Sequence, residues 1–324
     1  MTPAHAFRDS EADRAIIQTL RRSEGPVSGP DLADRLGISR VALWKRVQSL
    51  AAKGYGISSA RDGYRLYRDD GLSPGDLDIP GLVYIHSELG STMDEARTHA
   101  RAGAPNGSVV LAMRQNSGRS HSGEPWHSPD GGLYLTAIVR PRLPAGHAGA
   151  VLLESAVAAL ESLNGPHAEP VSFRWPNAIV DKRTGAQFGG LLVETDGSTA
   201  MPAYFLVGLG VRVAVTGSIP RRTALASHFT RALALWAERP TLKPDRWHSL
   251  LPEGSSLSAR LWNGAEQRIT KPSWNARGDL VDASGVTIGH SECATVSEPG
   301  TPHIARKAAP RTSGSTRSIS EETR

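Results

Sequence analysis

Residues 114–126 read Arg-Gln-Asn-Ser-Gly-Arg-Ser-His-Ser-Gly-Glu-Pro-Trp and stand between two apolar runs, 109–113 and 133–139. Short apolar runs bounded by turn residues are buried strands, so this part of the chain is expected to build a covered sheet. The segment between them is then a loop at the end of that sheet, where binding groups ride on a rigid scaffold. Polar along its length and closed by an indole, it suits a ligand with one charged and one flat part.

A length of 324 residues favours two or three domains. The single cysteine, Cys293, excludes a disulfide framework and a cysteine-cluster metal site, and suits a reducing compartment. No apolar run reaches signal-peptide or membrane-spanning length, so a cytoplasmic protein with no membrane partner is expected. His86, His121 and His127 are not spaced as a metal cluster, and no metal is expected. A net charge of +5 permits a nucleic-acid partner without requiring one.

The chain opens on three amphipathic helical segments. Ile16, Ile17 and Leu20 mark the first; Ser28-Gly29-Pro30-Asp31 starts the second; Ser39 caps a third that runs to about Lys53. On the third, Val41, Leu43, Val47 and Leu50 are expected to face inward. The stretch 57–66 then reads as two strands around an Asp-Gly hairpin. Three helices and a hairpin make a winged helix-turn-helix over 1–68, with Ser39, Arg40, Trp44, Lys45 and Arg46 on the recognition helix and Arg61 on the wing as the DNA-binding set.

A polar linker over 69–80 leads to a mixed α/β region, 81–245. Strands are expected at 82–86, 108–113, 133–139, 171–175, 191–194 and 204–215, with helices from Ser91, over 147–164 and over 223–237. Strands grouped beside helices indicate the α+β class. From 250 to 297 short strands, among them 274–279, suggest a small β-barrel. Residues 298–324 are basic and nearly free of apolar side chains, so disorder is expected there.

Several motifs occur together: Ser91-Thr92 at a helix start, Gln115, Gly118-Arg119, Gly123 and Trp126, Arg174-Trp175-Pro176-Asn177, Gly189-Gly190-Leu191-Leu192-Val193-Glu194, and Gly208-Leu209-Gly210. With the order winged helix, mixed-sheet domain, small barrel, the chain over about 13–297 resembles the bifunctional biotin protein ligases that also repress biotin operons. That resemblance implies a central biotin/lipoate-ligase-like domain and an SH3-like C-terminal barrel. It implies an activity joining biotin to ATP and passing the acyl group from biotinyl-5'-AMP to a carrier lysine. It also assigns the binding of biotin or the adenylate to Ser91, Thr92, Gln115, Gly118, Arg119, Trp126, Asn177, Gly189 and Gly190.

The reactive half of the pattern departs from the family. His121 stands where a second arginine is expected, Ala178 where an aspartate is, Gln187 where a lysine is, Arg212 and Met93 where asparagines are, and Glu124 reverses a basic position. Removing one preorganised donor aimed at developing charge costs about a hundred- to a thousand-fold in rate. The expectation is a transcription regulator that senses biotin or biotinyl-5'-AMP with little turnover, binding operator DNA as a homodimer. The alternative is a working ligase using ATP and Mg and acylating a biotin carboxyl-carrier protein, with Lys182 or Arg183 folding in to replace the lost cations.

Overall fold

In the computed structural model, which describes residues 11–164, 171–198, 200–212, 221–251 and 256–297, the stripe Ile16, Ile17 and Leu20 is the buried face of α1 (Glu11–Arg22). The helix α2 (Gly29–Arg35) starts on Ser28, with proline in its first turn. Ser39 Oγ accepts from Ala42 N at 3.1 Å and starts α3 (Arg40–Ala52). Between these helices Gly37 has φ +62°, a left-handed backbone open to a residue without Cβ. The strands β1 (Gly56–Ala60) and β2 (Gly63–Arg68) form the antiparallel wing, turning at Arg61 and Asp62.

One expectation for α3 needs correction. Val41 is 64% exposed rather than inward. At 100° per residue it lies about 200° around the helix from Leu43, which is buried. Arg46 is only half-exposed and ion-paired: its Nη1 lies 2.8 Å from Asp13 Oδ1, while the other oxygen of Asp13 takes the buried Lys53 Nζ at 3.2 Å. A buried ammonium needs such a partner, and the carboxylate that serves it also draws Arg46 back toward α1.

The central unit is a mixed sheet of β3 (Val83–Leu89), β4 (Ser108–Gln115), β5 (Leu133–Val139), β6 (Val171–Arg174), β7 (Ala178–Asp181), β8 (Gln187–Thr195) and β9 (Phe205–Val211). Its order is β3-β4-β5-β9-β8-β7-β6. The pair β3–β4 is parallel, and α4 (Thr92–Arg101) crosses between its strands. Alternation sorts β4 onto two faces: Val110 packs with Met93, Ala96 and Ala100 of α4, while Val109 and Leu111 join the larger core. That larger core is covered by α5 (Ala148–Leu163) and α6 (Arg222–Glu238). The strand expected over 204–215 ends at Val211, and 213–215 lie outside the described residues, as does the tail 298–324.

The stretch 69–80 is more than a connector. Arg21 bridges Asp69 at 2.7 Å and Asp76 at 3.0 Å, and Tyr55 Oη donates to Asp76 at 2.5 Å. Arg222, buried at the start of α6, donates to the carbonyls of Asp70 and Gly132 and pairs with the Asp70 carboxylate at 3.1 Å. The winged helix is thus fastened to the sheet domain through buried and half-buried charge.

At the C-terminal end, β10 (Ser256–Leu261), β11 (Glu266–Thr270), β12 (Ser273–Trp274), β13 (Leu280–Val281), β14 (Thr287–Ile288) and β15 (Cys293–Ser297) make two three-stranded sheets, β11-β10-β15 and β12-β13-β14. The strand expected over 274–279 stops at Trp274, because Asn275 Oδ1 takes the amides of Arg277 and Asp279 and closes a turn. Among the described residues no helix is long and apolar enough to cross a membrane.

Candidate functional site

The segment 114–126 folds back on itself. Trp126 N donates to Gly118 O at 2.8 Å, Ser120 N donates to Glu124 O at 2.8 Å, and the turn closes on Gly123 at φ +77°. Gly118 is required at the neck, since a Cβ there would stand 2.9 Å from the Trp126 carbonyl oxygen. The fold-back lays the Trp126 indole on Gly210 of β9, where a Cβ would stand 2.9 Å from Nε1.

A cavity of about 580 Å³ opens between this loop, the start of α4, the strands β7, β8 and β9, and the C-terminal sheet. Thr92 and Gln115 form its polar floor and belong to a hydrogen-bonded chain that runs back to the buried Ser128 and Thr136. Gln115 Oε1 accepts from Thr92 N at 2.8 Å and from Thr92 Oγ1 at 3.1 Å, Gln115 Nε2 donates to Ser128 Oγ at 3.0 Å, and Thr136 Oγ1 donates to Thr92 Oγ1 at 2.9 Å. Every amide and hydroxyl in that chain is oriented by another, so the floor is set before any ligand arrives.

Of the expected site residues, Ser91, Thr92, Gln115, Arg119, Trp126, Asn177 and Gly190 line the cavity. Gly118 and Gly189 lie one layer back: Gly189 faces Gly210 O and Ile179, which leaves room for the β8–β9 approach. His121, Ala178 and Gln187 line the cavity too, whereas Lys182 and Arg183 are exposed and are not among its lining residues. Arg212 stands behind the indole, its guanidinium carbon 5.6 Å from the Trp126 ring centre, and its Nη2 donates to Gln187 O at 2.7 Å. Sequence reasoning did not anticipate Arg260 and Trp262, which line the cavity from β10 and the residue after it. No motif marks them, because their position depends on the docking of the C-terminal sheet.

The arginines at the site are already engaged by protein groups. Arg119 meets Asp94 at 2.9 Å and Glu194 at 3.3 Å, Arg260 meets Glu266 at 2.6 Å, and Arg174 donates to Gly185 O at 3.3 Å. The hydrogen bond from Arg119, more than any other attraction, holds the Asp94 carboxyl below its ordinary range. Among the described residues that line the cavity there is no lysine and no carboxylate. Nor, among the described residues, does any group of three or more His, Cys, Asp or Glu side chains come together to hold a metal ion.

His121 reaches the C-terminal sheets: its Nε2 lies 3.1 Å from His290 O, and its ring tilts against Trp262 with centres 5.9 Å apart. Burial lowers the His121 value below that of free histidine, and burial, then the His121 charge, pushes His290 down to about 4. Both are held neutral in the folded chain. As pH falls from the ordinary 6.5 toward 4, the unfolded chain takes up protons that the folded one refuses, so stability is lost across that window. The urea midpoint is expected to fall between pH 7 and pH 5, and His290→Gln to lessen the fall. Equal pH profiles for the two chains would contradict this.

The expected DNA-binding residues are distributed unevenly. Ser39 is the helix cap, Arg40, Trp44 and Lys45 are exposed on α3, and Arg61 is exposed at the wing tip; Arg46 is half-exposed and paired with Asp13.

Comparison with known proteins follows the same division. An HTH domain matches residues 13–65, and the biotin/lipoate A/B protein ligase family matches residues 89–211. The bifunctional ligase/repressor BirA of Bacillus subtilis is 31% identical over 198 residues, 58% of this chain and 60% of that protein. The Escherichia coli protein of the same description is 30% identical over 218 residues, 64% of this chain and 66% of that protein. The chain thus spans about three fifths to two thirds of the length of the curated relatives it matches. A biotin protein ligase from Aquifex aeolicus, solved with biotin and ATP, shares the fold at a TM-score of 0.50 and 18% identity, over 67% of this chain and 99% of that one.

Proposed function

We propose that this chain, whose residues 89–211 match the biotin/lipoate A/B protein ligase family and whose residues 13–65 match an HTH domain, is a DNA-binding regulator whose ligase-like pocket senses rather than catalyses. In this reading biotin or biotinyl-5'-AMP sits on the Thr92–Gln115 floor beside Trp126. The two small C-terminal sheets, read here as an SH3-like barrel, close the outer side. The occupied pocket favours a homodimer that sets two winged helices on a palindromic operator.

One observation carries the reading: no lysine and no carboxylate is among the described residues lining the cavity, and its arginines are engaged by protein groups. Carboxylate attack on an α-phosphate develops anionic charge that needs preorganised cations, and the acceptor lysine needs a base nearby. Binding makes neither demand.

A single feature favours the alternative, a working ligase that also represses. The Arg212 guanidinium, donating to Gln187 O at 2.7 Å, puts a cation beside the position where the family's lysine is expected.

The regulator reading is tested by retention of operator fragments on the full chain with and without biotinyl-5'-AMP. Retention is expected to rise at least about tenfold with the adenylate. Retention unchanged by biotin and by the adenylate would contradict a sensing pocket.

A further inference from the structure

The exposed side of α3 has an ordered composition. At 100° per residue, Arg40, Trp44, Gln48, Val41 and Lys45 fall in that order across an arc of about 140°, while Leu43, Val47 and Leu50 occupy the buried side. The two cations therefore lie at the edges of the face. At its centre stand the i,i+3 neighbours Val41 and Trp44, 64% and 53% exposed; the exposed Gln48 falls between them in angle but one turn further along the helix. An isolated surface apolar residue needs no explanation, but an indole and an isopropyl group side by side at the middle of a polar helix face do.

Duplex DNA fits this arrangement. The major groove is about 12 Å wide and admits one helix, with phosphates on both rims and base edges at its floor. Cations at the two edges of the face match the rims, and Arg61 at the wing tip adds another. The apolar centre then meets the floor, where the one apolar group that a base pair offers is the thymine 5-methyl.

We propose that Val41 and Trp44 are specificity-determining residues that read thymine methyl groups in the major groove, while Arg40 and Lys45 position the helix through phosphates. The inference rests on the DNA-binding reading above and adds to it what the recognition helix selects. It assigns sequence readout to apolar contact, with no arginine–guanine pair at the centre of the face.

The test begins with duplexes selected from a random pool by the full chain in the presence of biotinyl-5'-AMP. In a selected duplex each thymine is replaced in turn by deoxyuridine, which removes the 5-methyl and leaves base pairing unchanged. Burial of one methyl-sized group corresponds to about fourfold in affinity, so one or two positions per half-site are expected to lose about fourfold. Those losses are expected to vanish in Val41→Ala and Trp44→Ala, which change exposed side chains. Arg40→Ala and Lys45→Ala are expected to weaken binding on all sequences and to lower its salt dependence.

Sequence-selective binding that ignores every deoxyuridine, or a thymine preference that survives in the Val41→Ala, Trp44→Ala double variant, would overturn this inference alone. A chain that retains no duplex at all would overturn the DNA-binding reading together with it, and would mark this face as a protein-docking surface.

Discussion

Simultaneous exchange of His121, Ala178 and Gln187 for arginine, aspartate and lysine is expected to raise acylation of a carrier lysine by at least about a hundredfold over the parent chain. All three positions line one cavity. Ala178 pairs with Gly190 across β7 and β8, and Gln187 pairs with Val180 on the same two strands, so the new aspartate and lysine would stand on neighbouring strands. Each then offsets part of the other's burial cost. A cation at 121 lies on the loop that meets the C-terminal sheets, where it can reach an anion in the cavity. Each such group is worth a hundred- to a thousand-fold or so, and groups that act as a unit do not add simply, which makes one such factor the lower bound. Mass spectrometry of a biotin carboxyl-carrier domain incubated with biotin, ATP and magnesium reads the result. No gain in a triple variant that still binds the adenylate would show that other positions limit the reaction.

Gly210→Val is expected to weaken binding of biotinyl-5'-AMP by about a hundredfold or more, through steric loss of the seat of Trp126. A Cβ at Gly210 would lie 2.9 Å from the indole Nε1 and 3.3 Å from Cε2, so the ring has to move. Arg212, whose guanidinium lies over the ring and is tied to Gln187 O, leaves it less room to do so. Gly210→Ala asks for a smaller displacement and is expected to cost about tenfold. Calorimetry with the adenylate checks both, with the urea midpoint as a control for folding. Unchanged affinity in Gly210→Val would mean that the indole does not form the ligand's platform.

Ser91, Thr92 and Gln115 were named for the cavity by the family resemblance, and local signals account only for where they stand. Ser91 caps α4, Thr92 follows it, and Gln115 ends the apolar strand β4; cap chemistry marks the helix start, while the Thr92–Gln115 contact and its partners Ser128 and Thr136 carry no local signal. Arg260 and Trp262 were not legible at all. They reach the cavity only because the C-terminal sheets dock on the central unit, through Trp274 against Trp175 with ring centres 5.9 Å apart and through Trp274 Nε1 on Trp247 O at 2.9 Å. No local pattern encodes that docking.

In the winged helix, apolar spacing found the helices but misplaced Val41, because a β-branched residue in the first turn reads as core until its angle to Leu43 is known. Arg46 reads as a DNA contact in sequence. Its ion pair with Asp13, more than thirty residues earlier, is something that no local pattern foretells.

The account turns on whether the unaltered chain makes bonds. The most direct measurement is single-turnover transfer of biotin, with ATP and magnesium, to a biotin carboxyl-carrier domain by the full chain at neutral pH. A sensing pocket predicts transfer slower than about 10⁻³ s⁻¹, far below the usual enzymatic range of roughly 1–10³ s⁻¹. Labelling at about 1 s⁻¹ or faster would contradict it, and would place the reaction in the hands of Arg212 and the remaining arginines.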